Sequence, residues 1–429
     1  MRRLIAVGFL LGAVGCGGGN GGGSSGGDDD ADAGTVTTPV VDDGTGTEDD
    51  DSGSEAPDAS AWIVNTTGET SMFVTDGGTF VEVNVLSVSE TADTISVETN
   101  AIPGYVFEVT QPILDWYNDY QAAAYSSTGV LNLGDTIEFG KDIGLSVSGC
   151  AEGGDGWWPA GGAACADSEQ GIVFDFPATP TLATDECATG LGPVGLWVSG
   201  VIIYDWQDGF THNNEGVWSH YALPFRSKGM DICLGHAGGG VGQYHHHSFN
   251  ECLRQEVGDE GMAHSPVYGF AGDGFPIHGP YHANGELTQS CWALRDYSAG
   301  SVTGCGIDGE RTCQLVDELD VSQGTEPVAS GPTTDELVGI DYATAVAKAG
   351  FYREDFYYDP ACTAQGDAYL DEHNGHDHDD LGFHYHTTVY ADMTPAFPLH
   401  FGPNLYGEAG GSFSCAAANG GGMPPPPGT

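Results

Sequence analysis

Histidine is concentrated in two short stretches of this 429-residue chain. Of 15 histidines, seven lie between positions 236 and 282 and five between positions 373 and 386. Histidine is the commonest metal ligand in proteins. This clustering therefore predicts that the chemistry of the chain is metal binding.

The two stretches repeat one pattern, the first from Asp231 to His247 and the second from Asp371 to His386. Each has an aspartate, four further residues, a histidine and then, after seven or eight positions, an aromatic residue with His-x-His. Side chains at positions i and i+2 of a strand point to the same face, so each His-x-His presents two imidazoles side by side. The preceding Gly-His supplies a third imidazole from a turn. The predicted ligands are His236, His245, His247, His376, His384 and His386.

Other histidines are weaker candidates, because a single histidine is more often a packing residue than a ligand. His246 alternates away from its neighbours and His378 lies in an acidic loop, so both are expected to be bystanders. His264 and Asp273 are additional ligands or groups that orient the ligands, unless their glycine-rich loop is only scaffold. His278 and His282 are weaker still, and whether the two units share one site stays open.

The ligand type restricts the metal. If the cysteines are paired, thiolates are excluded, and imidazole suits copper, zinc, iron or manganese better than calcium or magnesium. Because neutral imidazole is the binding form, affinity is expected to fall below a pH of about 6.5.

These motifs resemble the YHYH-domain family of exported bacterial and algal proteins. The resemblance is carried by Tyr-His-His-His at 244–247, the run at 264–281, Leu-Asp-Glu-His-Asn-Gly-His at 370–376 and Phe-His-Tyr-His at 383–386. It covers most of residues 62–405. His246 and Phe383 replace tyrosines of the family pattern, whereas the four histidines of the His-x-His pairs are kept. The resemblance implies export and assigns no activity.

The surrounding elements are predicted to be mainly strands. Residues 80–85 and 94–99 alternate with period two, and residues 194–204 form a longer apolar run. Amphipathic helices are predicted at 112–124 and 334–349. We expect a mainly β fold, a large sandwich-like domain with a few short helices and long loops, made of a β-rich part at 62–192 and a His-rich part at 193–418.

The N-terminus predicts export with a lipid anchor. Arg2 and Arg3 precede an apolar stretch too short to span a bilayer, and Ala13-Val14-Gly15-Cys16 resembles a lipobox. Residues 1–16 are therefore interpreted as a lipoprotein signal peptide with lipidated Cys16, at the outer membrane or cell surface. An ordinary signal peptide with an incidental cysteine is the alternative.

The ten remaining cysteines predict disulfides, since an even number is typical of exported chains. Proximity makes Cys150–Cys165 and Cys305–Cys313 plausible pairs and leaves the other pairings open.

Charge separates a tether from the folded part. Residues 17–60 contain twelve acids and no base, which predicts a disordered acidic tether, and residues 419–429 form a disordered Gly/Pro tail. The net charge of −52 repels nucleic acid, so no nucleic-acid partner is expected and the membrane is contacted only through the lipid.

These features favour a lipid-anchored extracytoplasmic protein that binds a transition metal, with metal-dependent hydrolysis or redox catalysis left open. The alternative is a cell-surface adhesion or carbohydrate-binding module with structural histidines, suggested by aromatic residues such as Trp157 and Trp158. A small-molecule or glycan ligand remains open. A serine or cysteine hydrolase ranks last, because residues 61–429 contain no Gly-x-Ser-x-Gly motif.

Overall fold

The computed structural model describes residues 59–74, 80–123, 131–139, 171–237, 243–341, 343–378 and 381–416. In these ranges the chain is mainly β with four short α-helices, which confirms the predicted fold class. Cys16, the tether to residue 58, Cys150 and Cys165, Trp157 and Trp158, and the tail lie outside the described residues. No helix in the described part of the chain has the length and hydropathy to cross a membrane.

The first part of the described chain supplies eight strands and the longest helix. They are β1 (Thr70–Val74), β2 (Phe80–Glu82), β3 (Val85–Glu90), β4 (Thr94–Thr99), β5 (Val106–Glu108), α1 (Gln111–Ala123), β6 (Thr136–Glu138), β7 (Ile172–Pro177) and β8 (Leu182–Ala188).

The middle part contains the strands around the first histidine unit. They are β9 (Pro193–Trp197), β10 (Ile202–Tyr204), β11 (Gln207–Thr211), β12 (Ser219–Tyr221), α2 (Ala222–Arg226), β13 (Gly235–Ala237), β14 (Tyr244–His246), α3 (Glu251–Glu256), β15 (Val267–Ala271) and β16 (Pro276–His278).

The last part contains short hairpins and the second histidine unit. They are β17 (Tyr281–Ala283), β18 (Glu286–Leu287), β19 (Trp292–Leu294), β20 (Cys313–Leu315), β21 (Thr325–Pro327), β22 (Leu337–Ile340), β23 (Ala343–Val346), β24 (Phe356–Tyr358), α4 (Pro360–Thr363), β25 (Gly375–Asp377), β26 (Phe383–His386) and β27 (Asn404–Gly407).

An eight-stranded sheet in the order β13-β14-β10-β9-β15-β16-β26-β25 carries both histidine units. At its centre β9 and β15 are antiparallel, with Leu196 opposite Phe270. Outward from this pair, each half adds an antiparallel neighbour (β10 or β16), a parallel strand (β14 or β26) and an antiparallel edge (β13 or β25). The sheet therefore has an internal twofold arrangement, with one His-x-His strand in each half.

The hairpins β9–β10 and β15–β16 turn in the same way. Gly200 and Gly274 have φ of 80° and 85°, and their N–H groups donate to the carbonyls of Trp197 and Ala271 at 2.8 Å. A side chain is disfavoured at such φ values, so glycine is required at both turns. Gly200 thus divides the apolar run at 194–204 into two strands.

A hydrophobic core extends from Trp62 to Phe413 and includes residues of both predicted parts. Trp62 packs against Phe176 and Phe270, with ring centroids 5.7 Å and 5.3 Å away. Residues 94–99 form β4 as predicted. Residues 80–85 are interrupted at Asn84, whose φ is 61°, so β2 and β3 are separate strands.

The helix predicted at 112–124 is confirmed as α1, whereas the helix predicted at 334–349 is wrong. Those residues include the antiparallel hairpin of β22 and β23, in which Gly339 lies opposite Thr344. Val338, Ile340 and Val346 are β-branched and favour strands, and a central glycine weakens a helix. The helix was predicted because the segment is rich in alanine, which has a high helix propensity.

Among the described residues four disulfides confirm that cysteines are paired: Cys187–Cys415, Cys233–Cys252, Cys291–Cys362 and Cys305–Cys313. The last of these is a pair predicted from proximity. Cys233–Cys252 closes a loop that contains the whole first His-x-His unit.

Candidate metal centres

An aspartate-closed turn precedes the first histidine of each unit. The carboxylate of Asp231 accepts the N–H groups two and four residues ahead at 2.8 and 3.1 Å, and that of Asp371 does so at 2.9 and 3.0 Å. Leu234 and Asn374 occupy the same position of the turn with φ of 61° and 64°. The repeated aspartates are therefore turn formers that deliver a histidine to β13 or β25.

The first centre consists of His236, His245 and His247. The Nε2 atom of His247 lies 3.3 Å from Nε2 of His236 and 3.2 Å from Nε2 of His245. His245 and His247 are buried and His236 is half-buried. His236 lies on β13, His245 on β14 and His247 directly after β14, at one edge of the central sheet.

The second centre consists of His264, His376, His384 and His386. The Nε2 atom of His384 lies 3.1 Å from Nε2 of His376 and 3.2 Å from Nε2 of His264. One ligand atom from each of the four rings lies within 4.8 Å of the others. His384 and His386 are fully buried on β26.

The two centres are separate. β14 and β26 are five strand-to-strand steps apart, which at about 4.8 Å per step places the centres roughly 24 Å apart. The sequence left open whether the two His-x-His units share one site. At this separation they cannot share one ion.

Main-chain carbonyls fix the tautomer of most rings in both centres. A carbonyl carries no hydrogen, so a ring Nδ1 within hydrogen-bond distance of it must be the donor, and the neutral ring keeps a lone pair on Nε2. Metal-bound histidines almost always show this arrangement. The Nδ1 contacts are His245 to Gln243 O (3.0 Å), His247 to Asp205 O (2.5 Å), His264 to Ser265 O (2.9 Å), His376 to Asp367 O (2.6 Å), His384 to Gly382 O (2.8 Å) and His386 to Gly279 O (2.6 Å).

The spacing of the Nε2 atoms matches metal coordination. Tetrahedral ligands with metal–nitrogen bonds of about 2.0–2.1 Å have nitrogens about 3.3 Å apart. Two Nε2–Nε2 separations in each centre are 3.1 to 3.3 Å and agree with this value, and all ligand atoms of each centre lie within 4.8 Å of one another. Converging lone pairs repel one another, so this donor set is suited to a cation.

Burial keeps these histidines neutral. Desolvation is the largest cause that lowers the pKa of His384 to about 2 and the pKa of His247 and His376 to about 4. Neutral imidazole is the ligand form, so these rings remain able to bind a metal well below pH 6.5. The loss of affinity below about pH 6.5, expected from ordinary histidines, is therefore not expected for His247, His376 and His384.

We therefore expect His247 and His384 of the metal-free folded chain to remain neutral at pH 5.5. Nitrogen NMR of the imidazole rings, recorded from pH 7.5 to pH 5, measures this directly. In the urea-unfolded chain the same rings should titrate near pH 6.5. Because the unfolded chain then binds more protons, these histidines should lower the free energy of unfolding as the pH falls below about 6.5. Titration near pH 6.5 in the folded chain would contradict the burial of the rings.

The second centre has histidine where the first has tyrosine. In the matched hairpins Tyr204 occupies the place of His278. Tyr204 stacks on His245 with ring centroids 3.8 Å apart, whereas the His278 ring lies 4.6 Å from that of His384. The first centre thus has three histidines with the Tyr204 ring packed against one of them, whereas the second centre has the additional imidazole of His278 beside it.

Two further residues considered in the sequence analysis, Asp273 and His246, lie outside both histidine centres. Asp273 does not join either histidine group, because its carboxylate accepts the Tyr385 hydroxyl at 2.6 Å and the Gly407 N–H at 2.9 Å. His246 stacks on Tyr105 and has hydrogen-bond contacts outside the first centre.

His378, expected to be a bystander, lies in a third group with His282 and His376. Sequence reasoning missed this group, since no periodicity links position 282 to position 378.

Comparison with known protein families finds a match for part of the chain. Residues 173–330 match the model of the family described as YHYH protein, which confirms the expected resemblance over that stretch. The matched residues include the first centre and His264 and end before the second His-x-His unit. None of the curated proteins and none of the solved structures matches the chain.

Proposed function

We propose that this chain, which carries a YHYH-family region, binds two transition-metal ions, one in each histidine centre. The observation that supports this most directly is that each centre has two pairs of Nε2 atoms 3.1 to 3.3 Å apart, with all of its ligand atoms within 4.8 Å of one another. Their Nδ1 atoms are mostly held by main-chain carbonyls, which orients the lone pairs before any ion arrives.

The donor set favours zinc or copper, with iron and manganese next. Each centre is made of neutral imidazoles, which suit these metals better than calcium or magnesium. Eight of the cysteines are paired in disulfides, which removes them as thiolate ligands. These disulfides also fit an oxidising compartment. We extend the proposal to a lipid anchor at Cys16, which the lipobox-like sequence supports.

The two centres differ in the number of protein ligands. Three histidines leave the fourth tetrahedral position of the first centre for water or a substrate, which is the pattern of catalytic zinc sites. Four histidines fill the second centre, which is the pattern of structural sites. Catalysis, where it occurs, is therefore assigned to the first centre.

Metal content of the purified full chain tests the proposal. Mass spectrometry should find about two transition-metal ions per chain, one of them lost with His245→Ala plus His247→Ala and the other with His384→Ala plus His386→Ala. His212→Ala is the matched control, because His212 lies outside all three histidine groups. Circular dichroism checks that each variant is folded. The proposal is wrong if the parent chain holds no metal after reconstitution with copper, zinc, iron and manganese.

A further inference from the structure

The third histidine group adjoins the second centre and shares a residue with it. This outer group consists of His282, His376 and His378. The His378 ring centroid lies 4.4 Å from that of His282 and 5.2 Å from that of His376. His376 therefore belongs to two groups, each with enough imidazoles to hold a metal ion.

The two groups differ in exposure. All three histidines of the outer group are half-buried, whereas the second centre combines the half-buried His264 and His376 with the fully buried His384 and His386. Asp377, which lies between His376 and His378 in the sequence, is exposed. A negatively charged surface residue raises the local concentration of cations. Solvent ions therefore reach the outer group more readily than they reach the fully buried His384 and His386.

His376 has one nitrogen available for both groups. Its Nδ1 donates to the Asp367 carbonyl at 2.6 Å, and its Nε2 lies 3.1 Å from Nε2 of His384. A neutral imidazole in this state offers a single lone pair. His376 can therefore ligate an ion in the outer group or in the second centre, but not two ions at once.

We propose that the outer group is a capture site that passes a divalent transition-metal ion to the second centre through His376. This inference rests on the proposed function of the second centre. Transfer is a ligand exchange in which Nε2 of His376 remains bonded while the bonds to His282 and His378 are replaced by bonds to His264, His384 and His386. The metal keeps its oxidation state, and no proton leaves a ring.

Zinc uptake by the full chain tests the relay. The background variant carries His245→Ala and His247→Ala, so that only the second centre can load. We add His282→Gln and His378→Gln to it and mix the metal-free chains with zinc in a stopped-flow instrument that contains a fluorescent zinc indicator. The equilibrium content should stay at one zinc per chain, while uptake becomes about tenfold slower. His212→Gln in the same background is the control and should leave the rate unchanged.

Each other outcome identifies what has failed. An unchanged uptake rate with one zinc bound overturns the relay and leaves the second centre intact. Two zinc ions in the background variant, or loss of zinc from the folded glutamine variant, would make the outer histidines permanent ligands and also overturn it. No zinc in the background variant overturns the second centre itself. His378→Gln alone provides the same comparison if the paired variant does not fold.

Discussion

Zinc should raise the free energy of unfolding of the full chain by about 8 kcal/mol. This value applies when the free zinc concentration is about 1,000 times the dissociation constant of each site, because each of the two sites then adds about 4 kcal/mol. The centres join β13 to β14 and β25 to β26, so the gain should appear in the unfolding of the whole central sheet. Urea denaturation followed by fluorescence, with zinc and then with a chelator, measures the difference.

The control for this stabilisation is the chain with alanine at positions 245, 247, 384 and 386. Its stability should be the same with zinc and with the chelator. An equal zinc effect in this variant would mean that the ion acts through the acidic surface of the protein, whose net charge is −52, and not through the histidines.

Asp355→Asn should lower the free energy of unfolding by about 3–5 kcal/mol, the usual cost of breaking a buried ion pair. Arg311 donates to both Asp355 oxygens at 2.8 and 2.9 Å, and both residues are fully buried. Asp355 also accepts the Tyr297 hydroxyl at 2.7 Å and three backbone N–H groups. Asparagine would leave the guanidinium without a counter-charge in the core. Urea denaturation at fixed zinc concentration gives the change.

Glu318→Gln is the matched control for this substitution. Glu318 also pairs with an arginine, Arg353, but its side chain is 37% exposed. The same carboxylate-to-amide change should therefore cost no more than about 1 kcal/mol. Equal losses in the two variants would contradict the assignment of the Asp355 effect to burial.

The sequence predicted the local part of each centre because that part depends on short-range geometry. Alternation along a strand places His245 beside His247 and His384 beside His386, and the repeated Asp-to-His spacing predicts a third ring from a turn. These patterns each span fewer than about 20 residues. Over such short separations the allowed backbone dihedrals limit where the side chains can lie relative to one another.

The remaining parts of the site depend on contacts that are distant in sequence. His264 reaches His384 across 120 positions through the pairing of β15, β16 and β26. Asp273 accepts, across 112 positions, the hydroxyl of Tyr385, which lies between His384 and His386 on β26. The predicted helix at 334–349 failed for a different reason, since helix propensity is a weak prior where Gly339 and β-branched residues favour a hairpin.

The twofold arrangement of the central sheet has a consequence for how the two centres respond to substitution. In a symmetric dimer of identical chains, every change in the sequence occurs twice and alters both sites together. Here the two halves are parts of one polypeptide with different sequences, so a single codon specifies each position. Exchanging Tyr204 for histidine, or His278 for tyrosine, changes one centre and spares the other. The two sites, which share one backbone arrangement, can therefore differ in the metal that they bind or in their function.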